Sequence, residues 1–522
     1  MANVGMRLLK KGQKGIVRAV FSRIGLMTVM LLVHFGLFFS AFFWLGERYM
    51  PHFYLLELVI TVGTVLYLIN CSGIDPSAKI TWFIILMLMP VFGALMLLYS
   101  RSDIGHRALK KRIQTLIDET ENKIPQNGDV LEELRRENPG AASLAYYLRQ
   151  KGGFPVYSGC DVTYFPSGEA KFEALLRELE GAQDFIFLEY FIVDEGEMWG
   201  RILEILAKKA AEGVDVRLIY DGTCEFTTLS HDYPKRLAKL GIKCRVFSPV
   251  TPFMSTHYNY RDHRKILVID GKTAFTGGIN LADEYINAIE KYGHWKDTAV
   301  MVKGAAVKSF TLLFLQMWCI YERNPDFTKY LTEEVHVHET GGYVIPYADC
   351  PLDEDKVGER VYMDLLNRSR EYVHVMTPYL ILDGELETAL KFAAERGVEV
   401  VLILPGIPDK KTPYALAKTH YPSLLASGVK IYEYTPGFVH AKVFSCDGRE
   451  AVVGTINLDY RSLYHHFECA AYLCGTDCIA DIETDFEKTL AQCREVTMDQ
   501  VKKGNPGTWL RGVIMKAVAP LL

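Results

Sequence analysis

The sequence lacks an excess of positive charge. Lysine and arginine number 58 against 63 aspartate and glutamate residues, so the formal net charge is −5 and the pI is about 6.3. Proteins that bind nucleic acid usually carry a strong basic excess, because they neutralise backbone phosphates. The chain also has no glycine-rich loop of the P-loop type. We therefore expect no nucleic-acid partner and no nucleotide-driven reaction.

Paired cysteines are also lacking. The 11 cysteines are an odd number, no Cys-x-x-Cys pair occurs, and Cys469, Cys474 and Cys478 do not have zinc-knuckle spacing. This pattern favours free buried thiols in reducing surroundings over a disulfide framework. We expect neither a metal site nor a cofactor.

Long uncharged runs, by contrast, are present near the N-terminus. Residues 24–46 and 80–99 contain no charged residue, and the run over 55–71 contains only Glu57. A bilayer-spanning helix needs about 20 apolar residues. Residues 1–100 are therefore predicted to form a membrane region with several transmembrane helices, which implies a multi-pass protein of the cell membrane.

Basic residues lie at both ends of this region. Six precede the first run within residues 1–23, and five follow the third run within residues 101–112. The positive-inside rule places both ends in the cytoplasm, which requires an even number of spans. Three runs conflict with that, so either one run is re-entrant or interfacial or the rule fails at one end.

The remaining chain has the sequence pattern of an α/β protein. Residues 101–143 are charged and helix-like, typical of a solvated connector. Beyond them, amphipathic helices alternate with nearly continuous apolar strands such as 185–193 and 214–220, which predicts a largely parallel sheet. The same order returns later, since AAEGVDVRLIYDG at 210–222 matches AAERGVEVVLILPG at 393–406. We predict two duplicated halves, 144–335 and 336–495. Residues 496–522 form an apolar, basic segment that either lies at the membrane surface or docks on the α/β part.

One polar motif recurs at the same spacing in both halves. The first copy contains His263, Lys265, Asp270 and Asn280, and the second contains His440, Lys442, Asp447 and Asn457. A His and a Lys two residues apart on a strand share a face. Asp-Gly then predicts a hairpin turn, so the returning strand brings the Asn back towards the His.

These residue types suit a phosphodiester. Lys and Asn can bind the non-bridging oxygens and stabilise charge that develops at phosphorus. One His can attack phosphorus to give a phosphohistidine, and the other can protonate the leaving alkoxide and later activate the acceptor. The lysines supply the charge, so this chemistry needs no metal.

The duplicated His-x-Lys-x4-Asp motif resembles the phospholipase D superfamily. The stretches NYRDHRKILVIDGKTAFTGGINLADEY, HWKDTAV and FVHAKVFSCDGREAVVGTINLDYRS, followed by HHFE, are similar to the bacterial cardiolipin synthases over roughly residues 75–495. The resemblance implies two phospholipase D-like α-β-α sandwich halves packed as a pseudo-dimer, preceded by N-terminal transmembrane helices.

The resemblance also implies roles for single residues. His263 and His440 would be the nucleophile and the acid/base, with His263 favoured as the nucleophile. Four residues would hold the phosphate: Lys265, Lys442, Asn280 and Asn457. The superfamily uses a further acidic residue to orient the His through its other ring nitrogen. Glu468, 28 residues after His440, fits this role. The first copy has Lys291 at that spacing, so Asp297 is the substitute.

Other motif positions are expected to be structural. Asp270 and Asp447 complete the catalytic motif, but we expect them to hold the turn and neighbouring strands rather than react. Glycines 277, 278 and 454 allow close backbone approach, and Thr455 stands where a second glycine would be. His465 and His466 lie beside Glu468 and are further candidates to line the site.

The activity implied by the resemblance is cardiolipin synthesis. One phosphatidylglycerol is cleaved to leave a phosphatidyl group on a His and release glycerol, and the hydroxyl of a second phosphatidylglycerol then takes up that group. The partners would be phosphatidylglycerol and cardiolipin in the bilayer. A hydrolase, a transferase using another alcohol, a superfamily nuclease and an inactive scaffold are the alternatives. The residues leave the oligomeric state open.

Overall fold

The computed structural model describes residues 23–44, 46–102, 107–249, 260–331, 340–353 and 355–521. The chain divides into two compact units. One comprises Met1–Lys111, Val250–Asn259 and Ala517–Leu522, and the other comprises Arg112–Pro249 and Tyr260–Lys516. The basic leader up to residue 22 and the predicted boundary between the halves at 335/336 lie outside the described residues.

The described part of the first unit is helical. Its helices are α1 (Arg23–Trp44), α2 (Gly46–Asn70), α3 (Pro76–Leu88) and α4 (Pro90–Arg101). A small core joins the last three, formed by Leu68, Trp82, Leu86, Ala94 and Leu97. Many other apolar side chains of α2 are exposed, among them Leu55, Leu56, Leu58 and Val59. Such exposure is unusual for a protein surface surrounded only by water.

The expectation of several membrane-spanning helices has limited support. Within the described residues, Tyr49–Asn70 is the one stretch long and apolar enough to cross a membrane. Met27–Leu37 and Pro76–Leu88 are apolar but shorter. The run 80–99 does not form a single helix, because α3 ends before Met89 and α4 begins at Pro90. Proline lacks the backbone N–H of a helix interior and pushes the preceding residue out of the helical conformation.

Three further described helices lie between α4 and the first sheet: α5 (Arg107–Thr120), α6 (Gly128–Glu137) and α7 (Pro139–Gly152). Asn138 caps α7, since its side-chain oxygen accepts from the Ala141 amide at 3.0 Å. Leu134, Ala141 and Leu148 lie in the same buried cluster as residues from Tyr343 onwards. The sequence boundaries place part of α7 at the start of the first half. The structure instead places this helix in the core of the second half.

Within the described residues, the first sheet has seven strands in the order β2-β10-β8-β7-β3-β4-β5. The strands are β2 (Asp161–Phe165), β3 (Phe185–Tyr190), β4 (Asp215–Asp221), β5 (Lys243–Phe247), β7 (Lys265–Ile269), β8 (Thr273–Gly277) and β10 (Ala299–Lys303). The helices between them are α8 (Gly168–Glu180), α9 (Glu197–Ala211), α10 (Cys224–Thr227) and α11 (Tyr233–Ala238), and α12 (Val307–Trp318) follows the last strand.

The second sheet repeats this plan, in the order β1-β11-β18-β17-β16-β12-β13-β14-β19. Its strands are β1 (Tyr157–Ser158), β11 (Tyr343–Asp349), β12 (Tyr372–Met376), β13 (Glu399–Pro405), β14 (Lys430–Tyr434), β16 (Val443–Cys446), β17 (Glu450–Gly454), β18 (His466–Cys474) and β19 (Cys493–Glu495). The helices are α13 (Val357–Arg368), α14 (Gly384–Glu395), α15 (Lys411–Ala417), α16 (Tyr421–Ala426), α17 (Tyr460–Tyr464), α18 (Cys478–Leu490), α19 (Met498–Lys502) and α20 (Pro506–Val518).

Both sheets are mixed, so the expectation of a largely parallel sheet is wrong. Only β3-β4-β5 and β12-β13-β14 run parallel, and the other pairs within the two orders are antiparallel. The reason is the hairpin in each motif copy, which adds two antiparallel strands beside β3 and β12. The duplicated α/β plan itself is present.

In the part of the chain that the structure describes, two short strand pairs connect the halves. Strand β6 (Arg261–Asp262) pairs in parallel with the start of β18, and β9 (His294–Lys296) pairs in parallel with β15 (Gly437–Val439). Each pair joins the residues just before a motif His to a strand of the opposite half. These two pairs therefore bring the two motif copies together.

The C-terminal helix α20 docks on the α/β part along one side. A Cβ atom on Gly512 would lie 2.3 Å from the Ala415 carbonyl, so a larger residue would not fit there. On its other side Trp509, Leu510 and Ile514 are exposed, at 54–62%. One side of the helix thus packs against the α/β part, and the other side exposes apolar residues.

Candidate active site

Both predicted hairpins are present. Asp270 and Gly271 have φ of 52° and 66°, and Asp447 and Gly448 have φ of 53° and 62°. Two successive positive φ values define the type I′ turn that Asp-Gly favours. The turns reverse the chain between β7 and β8 and between β16 and β17.

The Asp270 and Asp447 carboxylates hold the turns in place. Asp270 accepts from the amides of Gln183, Asp184 and Phe185 at 2.8–2.9 Å. Asp447 does the same at the start of β12, where it accepts from three successive amides at 2.8–3.0 Å. Each carboxylate therefore ties a hairpin to the start of the neighbouring antiparallel strand, β3 or β12, which is a structural contact rather than one with a reacting atom.

The two motif histidines lie in equivalent surroundings. The His263 amide donates to the Phe467 carbonyl at 2.9 Å, and the His440 amide donates to the Lys296 carbonyl at 2.7 Å. In each case the next residue along the opposite strand carries the carboxylate, Glu468 or Asp297. The connecting strand pairs β6–β18 and β9–β15 thus set both the backbone and the side-chain partner of each His.

Each imidazole contacts a carboxylate through its Nδ1 atom. His263 Nδ1 lies 3.0 Å from both oxygens of Glu468, and His440 Nδ1 lies 2.7 Å from Asp297 Oδ2. Lys291, which departs from the motif spacing, instead forms an ion pair with Glu284 at 2.8 Å. The structure therefore places both predicted orienting carboxylates against histidines, each against the His of the opposite half.

Both motif lysines are buried beside these histidines. Lys265 Nζ donates to the His263 carbonyl at 2.5 Å. Lys442 Nζ donates to the His440 carbonyl and lies 2.9 Å from His440 Nδ1. Burial lowers the pKa of Lys265 to about 8 and that of Lys442 to about 7. A bound phosphate anion would favour the charged form of both lysines.

The predicted phosphate-binding asparagines differ. Asn280 uses both polar atoms, since it accepts from the Ile192 amide at 3.0 Å and donates to the Tyr285 hydroxyl at 2.7 Å. Asn457 donates weakly to Asp459 at 3.4 Å, and its buried Oδ1 has no hydrogen-bond partner among the described residues. Contact of either side chain with phosphate remains a prediction.

The surroundings of the two carboxylates are not equivalent. The Thr455 hydroxyl donates to Glu468, whereas the matching position beside Asp297 is Gly278. A Cβ atom on Gly278 would lie 2.0 Å from Asp297 Oδ1, so no side chain fits there. Thr455, which stands where the other copy has Gly278, therefore gives the Glu468 carboxylate an extra hydrogen-bond donor.

The pKa values of the two carboxyl groups move in opposite directions. Burial raises the pKa of Asp297 to about 6, although Lys442 opposes the shift. Burial also acts to raise the pKa of Glu468, but His263 and His466 together outweigh it, and the pKa lies well below its usual value. Burial lowers the pKa of His263 to about 3 and moves the pKa of His440 well below its usual range. Both shifts favour the neutral imidazole at pH 7.

Some side chains at the site were not singled out from the sequence. Lys171 on α8 is fully buried, and its Nζ donates to the Ile279 carbonyl at 3.2 Å. Burial lowers its pKa to about 7, and the Asp297 charge opposes this. The rings of Tyr285 and Trp295 both lie 5.4 Å from the His440 ring. These residues lie outside the duplicated motif. Their only signals in the sequence are a position in an amphipathic helix, for Lys171, and aromatic side chains near a strand, for Tyr285 and Trp295.

Comparisons with known proteins agree with this architecture. The family model described as "Cardiolipin synthase, PLD-like domain" matches residues 175–318 and 362–490, about half of the chain. A cardiolipin synthase of Halalkalibacterium halodurans is 31% identical over 488 residues, which cover 92% of this chain and 96% of that protein. An uncharacterized protein of Streptococcus mutans is 58% identical over 461 residues, which cover 88% of this chain and 100% of that protein.

A solved structure supports the fold. The crystal structure of phosphatidylserine synthase from Haemophilus influenzae Rd KW20 matches with a TM-score of 0.53 at 14% identity, covering 69% of this chain and 95% of that one. At this identity the likeness shows the fold alone. The resemblance inferred from the duplicated motif is confirmed, and the chain belongs to the cardiolipin synthase family of the phospholipase D superfamily.

Proposed function

We propose that this protein is a phosphatidyltransferase that makes cardiolipin and glycerol from two molecules of phosphatidylglycerol. The single observation that carries the proposal is the convergence of two His-x-Lys motifs, each with its His held by a carboxylate of the opposite half. The family membership agrees with this activity. We also take the two halves to form a pseudo-dimer that builds one shared site.

In the first half-reaction His263 is the nucleophile. Its Nε2 atom attacks phosphorus while Glu468 accepts the Nδ1 proton in a hydrogen bond at 3.0 Å. A P–N bond forms, the bond from phosphorus to the glycerol oxygen breaks, and the leaving alkoxide takes a proton from His440. The lowered pKa of His263 keeps a lone pair available on this ring.

His440 must carry a proton at that moment. The nearby ammonium groups of Lys442 and Lys265 add to the burial that lowers its pKa. A bound phosphodiester brings a negative charge that offsets these two ammonium groups, so substrate binding itself favours the protonated imidazole. The same lysines then stabilise the charge that develops on the non-bridging oxygens.

In the second half-reaction the free hydroxyl of another phosphatidylglycerol replaces glycerol. Neutral His440 removes the hydroxyl proton, the oxygen attacks phosphorus, and the P–N bond to His263 breaks. The product is cardiolipin, and His263 returns to its starting form. The phosphohistidine conserves the energy of the original phosphodiester, so the exchange needs no nucleotide.

The helical N-terminal unit would hold the enzyme at its lipid substrates. The stretch Tyr49–Asn70 is long enough for one span, and its apolar side chains are largely exposed. We extend this proposal to further membrane-inserted segments within residues 24–46 and 80–99, which makes the protein multi-pass. The exposed apolar side of α20 would lie at the bilayer surface.

The test uses the purified full-length protein in mixed micelles with phosphatidylglycerol as the sole phospholipid. Products are identified by mass spectrometry, with His263→Ala and His440→Ala as comparisons. Cardiolipin and glycerol in equal amounts, lost in both variants, would support the proposal. Phosphatidic acid as the sole product would mean that water is the acceptor, and full activity in either variant would overturn the assigned roles.

A further inference from the structure

A third imidazole lies at the His263–Glu468 pair, and the mechanism proposed above does not use it. The His466 ring lies 5.4 Å from the His263 ring, and His466 Nδ1 lies 3.6 Å from Glu468 Oε1. His466 is only 9% exposed, yet its Nδ1 has no hydrogen-bond partner among the described residues. Burial of a polar nitrogen without a partner is costly, which suggests that something else binds there.

The three side chains have the geometry of a metal-binding cluster. One ligand atom from each of His263, His466 and Glu468 lies within 4.8 Å of the other two. Zinc binds two imidazoles and a carboxylate at about 2.0–2.2 Å, so tetrahedral ligand atoms lie about 3.3 Å apart. Glu468 Oε1 lies 3.0 Å from His263 Nδ1 and 3.6 Å from His466 Nδ1. One distance is shorter and the other longer than the separation expected between two zinc ligands.

Among the described residues, this cluster occurs at the His263–Glu468 pair and not at the His440–Asp297 pair. His466 stands two residues before Glu468, and the residue two before Asp297 is Trp295, which cannot bind a metal ion. Both imidazoles of the cluster keep a small exposed fraction, 6% for His263 and 9% for His466. The extra histidine therefore distinguishes two otherwise equivalent His–carboxylate pairs.

We propose that His263, His466 and Glu468 form a binding site for a divalent transition-metal ion such as Zn²⁺, and that the bound ion inhibits phosphatidyl transfer. The ion binds the Nδ1 lone pair of the neutral His263 tautomer that carries its proton on Nε2, and it also binds the Glu468 carboxylate. Nε2 then has no lone pair to attack phosphorus, and His263 loses the hydrogen bond to Glu468 that orients its ring. Binding is independent of the proposed function, whereas the inhibition rests on it.

The binding test uses the full-length, tag-free protein in micelles after metal removal with EDTA and buffer exchange. Co²⁺ is the probe, followed by its visible absorption and displaced with Zn²⁺. His466→Asn removes one ligand, and the neighbouring His465→Asn is the matched control outside the cluster. We expect one saturable Co²⁺ in the wild type and in His465→Asn. The affinity of His466→Asn should be at least tenfold lower, a loss that even outer partners of a metal site produce.

Three results would overturn the site. These are no saturable Co²⁺ in the wild type, unchanged affinity in His466→Asn, or an equal loss in His465→Asn. Glu468→Gln, which removes a different ligand, should weaken Co²⁺ binding as well. Weaker binding in two separate variants would show that the loss does not come from misfolding of one of them. Melting curves of all the variants identify any that fail to fold.

The inhibition is tested separately with phosphatidylglycerol as substrate. Zn²⁺ should lower the rate of cardiolipin formation by at least tenfold, and EDTA should restore it. An enzyme that keeps full activity when loaded with Zn²⁺ would overturn the inhibition. If the EDTA-treated protein makes no cardiolipin at all, the proposed function fails, and the Co²⁺ measurement still decides the metal site.

Discussion

The Nδ1 atom of His263 lies 3.0 Å from both carboxylate oxygens of Glu468, a residue 205 positions later in the other half of the protein. The reciprocal pair joins His440 to Asp297, 143 positions earlier. Each half therefore contributes the motif His of one pair and the carboxylate of the other. Among the described residues, neither half alone contains both a motif His and its carboxylate partner.

Replacing Glu468 with Gln should lower the rate of cardiolipin formation by about a hundredfold or more, with little effect on KM. The amide cannot stabilise the positive charge that develops on His263 when its Nε2 bonds to phosphorus, and general acid–base and orienting groups contribute on this scale. The measurement is kcat and KM on phosphatidylglycerol in mixed micelles.

The matched control is Glu483→Gln. Glu483 also contacts an imidazole, that of His374 at 2.8 Å, but this pair lies on other elements, α18 and β12. We expect kcat within twofold of the wild type for this control. An equal loss in both variants would mean that the effect comes from structure in general and not from the His263 pair.

Replacing Thr455 with Val should destabilise the protein and reduce kcat. The hydroxyl donates to Glu468 and accepts from the Cys469 amide at 3.0 Å, and valine of similar shape does neither. A hydrogen bond to a charged group contributes about 1.5–3 kcal/mol. Thermal melting and kcat would show both effects, and Thr455→Ser, which keeps the hydroxyl, should recover most of each. A Val variant with unchanged stability and rate would contradict this role.

Activity should fall on the acidic side with an apparent pKa near 6. Burial raises the pKa of Asp297 to about 6, and below that pH the protonated carboxyl no longer accepts the His440 Nδ1 proton. The pH profile of kcat would show this limb. The residual activity of Asp297→Asn should lack it, and a limb of the same midpoint in that variant would assign the titration to another group.

The same shift predicts how stability changes with pH. Between about pH 4 and 6 the folded protein holds a proton on Asp297 that the unfolded chain releases, so the free energy of unfolding falls as the pH rises through this window. Denaturation midpoints of the wild type and Asp297→Asn at several pH values would measure the difference. A wild type that gains stability relative to the variant over this range would contradict the raised pKa.

Replacing Asp270 with Ala should lower stability more than it lowers the activity per folded molecule. Its carboxylate accepts from three backbone amides, and leaving the buried Phe185 donor unpaired costs about 1–3 kcal/mol. Denaturation and active-fraction assays separate the two effects. Asp184→Ala is the control, because its exposed side chain is lost while its amide still donates to Asp270. A stable but inactive Asp270 variant would mean a direct role in the chemistry.

The sequence alone determined the local chemistry of the site. The spacing of His263 and Lys265 places both on one strand face, and Asp270-Gly271 determines the turn, because these are effects of strand geometry and backbone conformation over a few residues. Repetition of the same pattern at His440 indicated a duplicated fold, and the family followed from it. Glu468 and Asp297 could be selected as acidic residues, but the sequence did not indicate which His each would contact.

Tertiary structure decided how these parts combine. The exchange of carboxylates depends on pairing of β6 with β18 and of β9 with β15, between segments more than a hundred residues apart. No periodicity along the chain specifies such a pairing, because it results from how two whole sheets pack. The position of α7 was also decided by tertiary structure. Its apolar face could have packed against either sheet, and it lies in the core of the second half. The sequence therefore determined which groups are available for catalysis, and the contact between the halves determined which of them lie together.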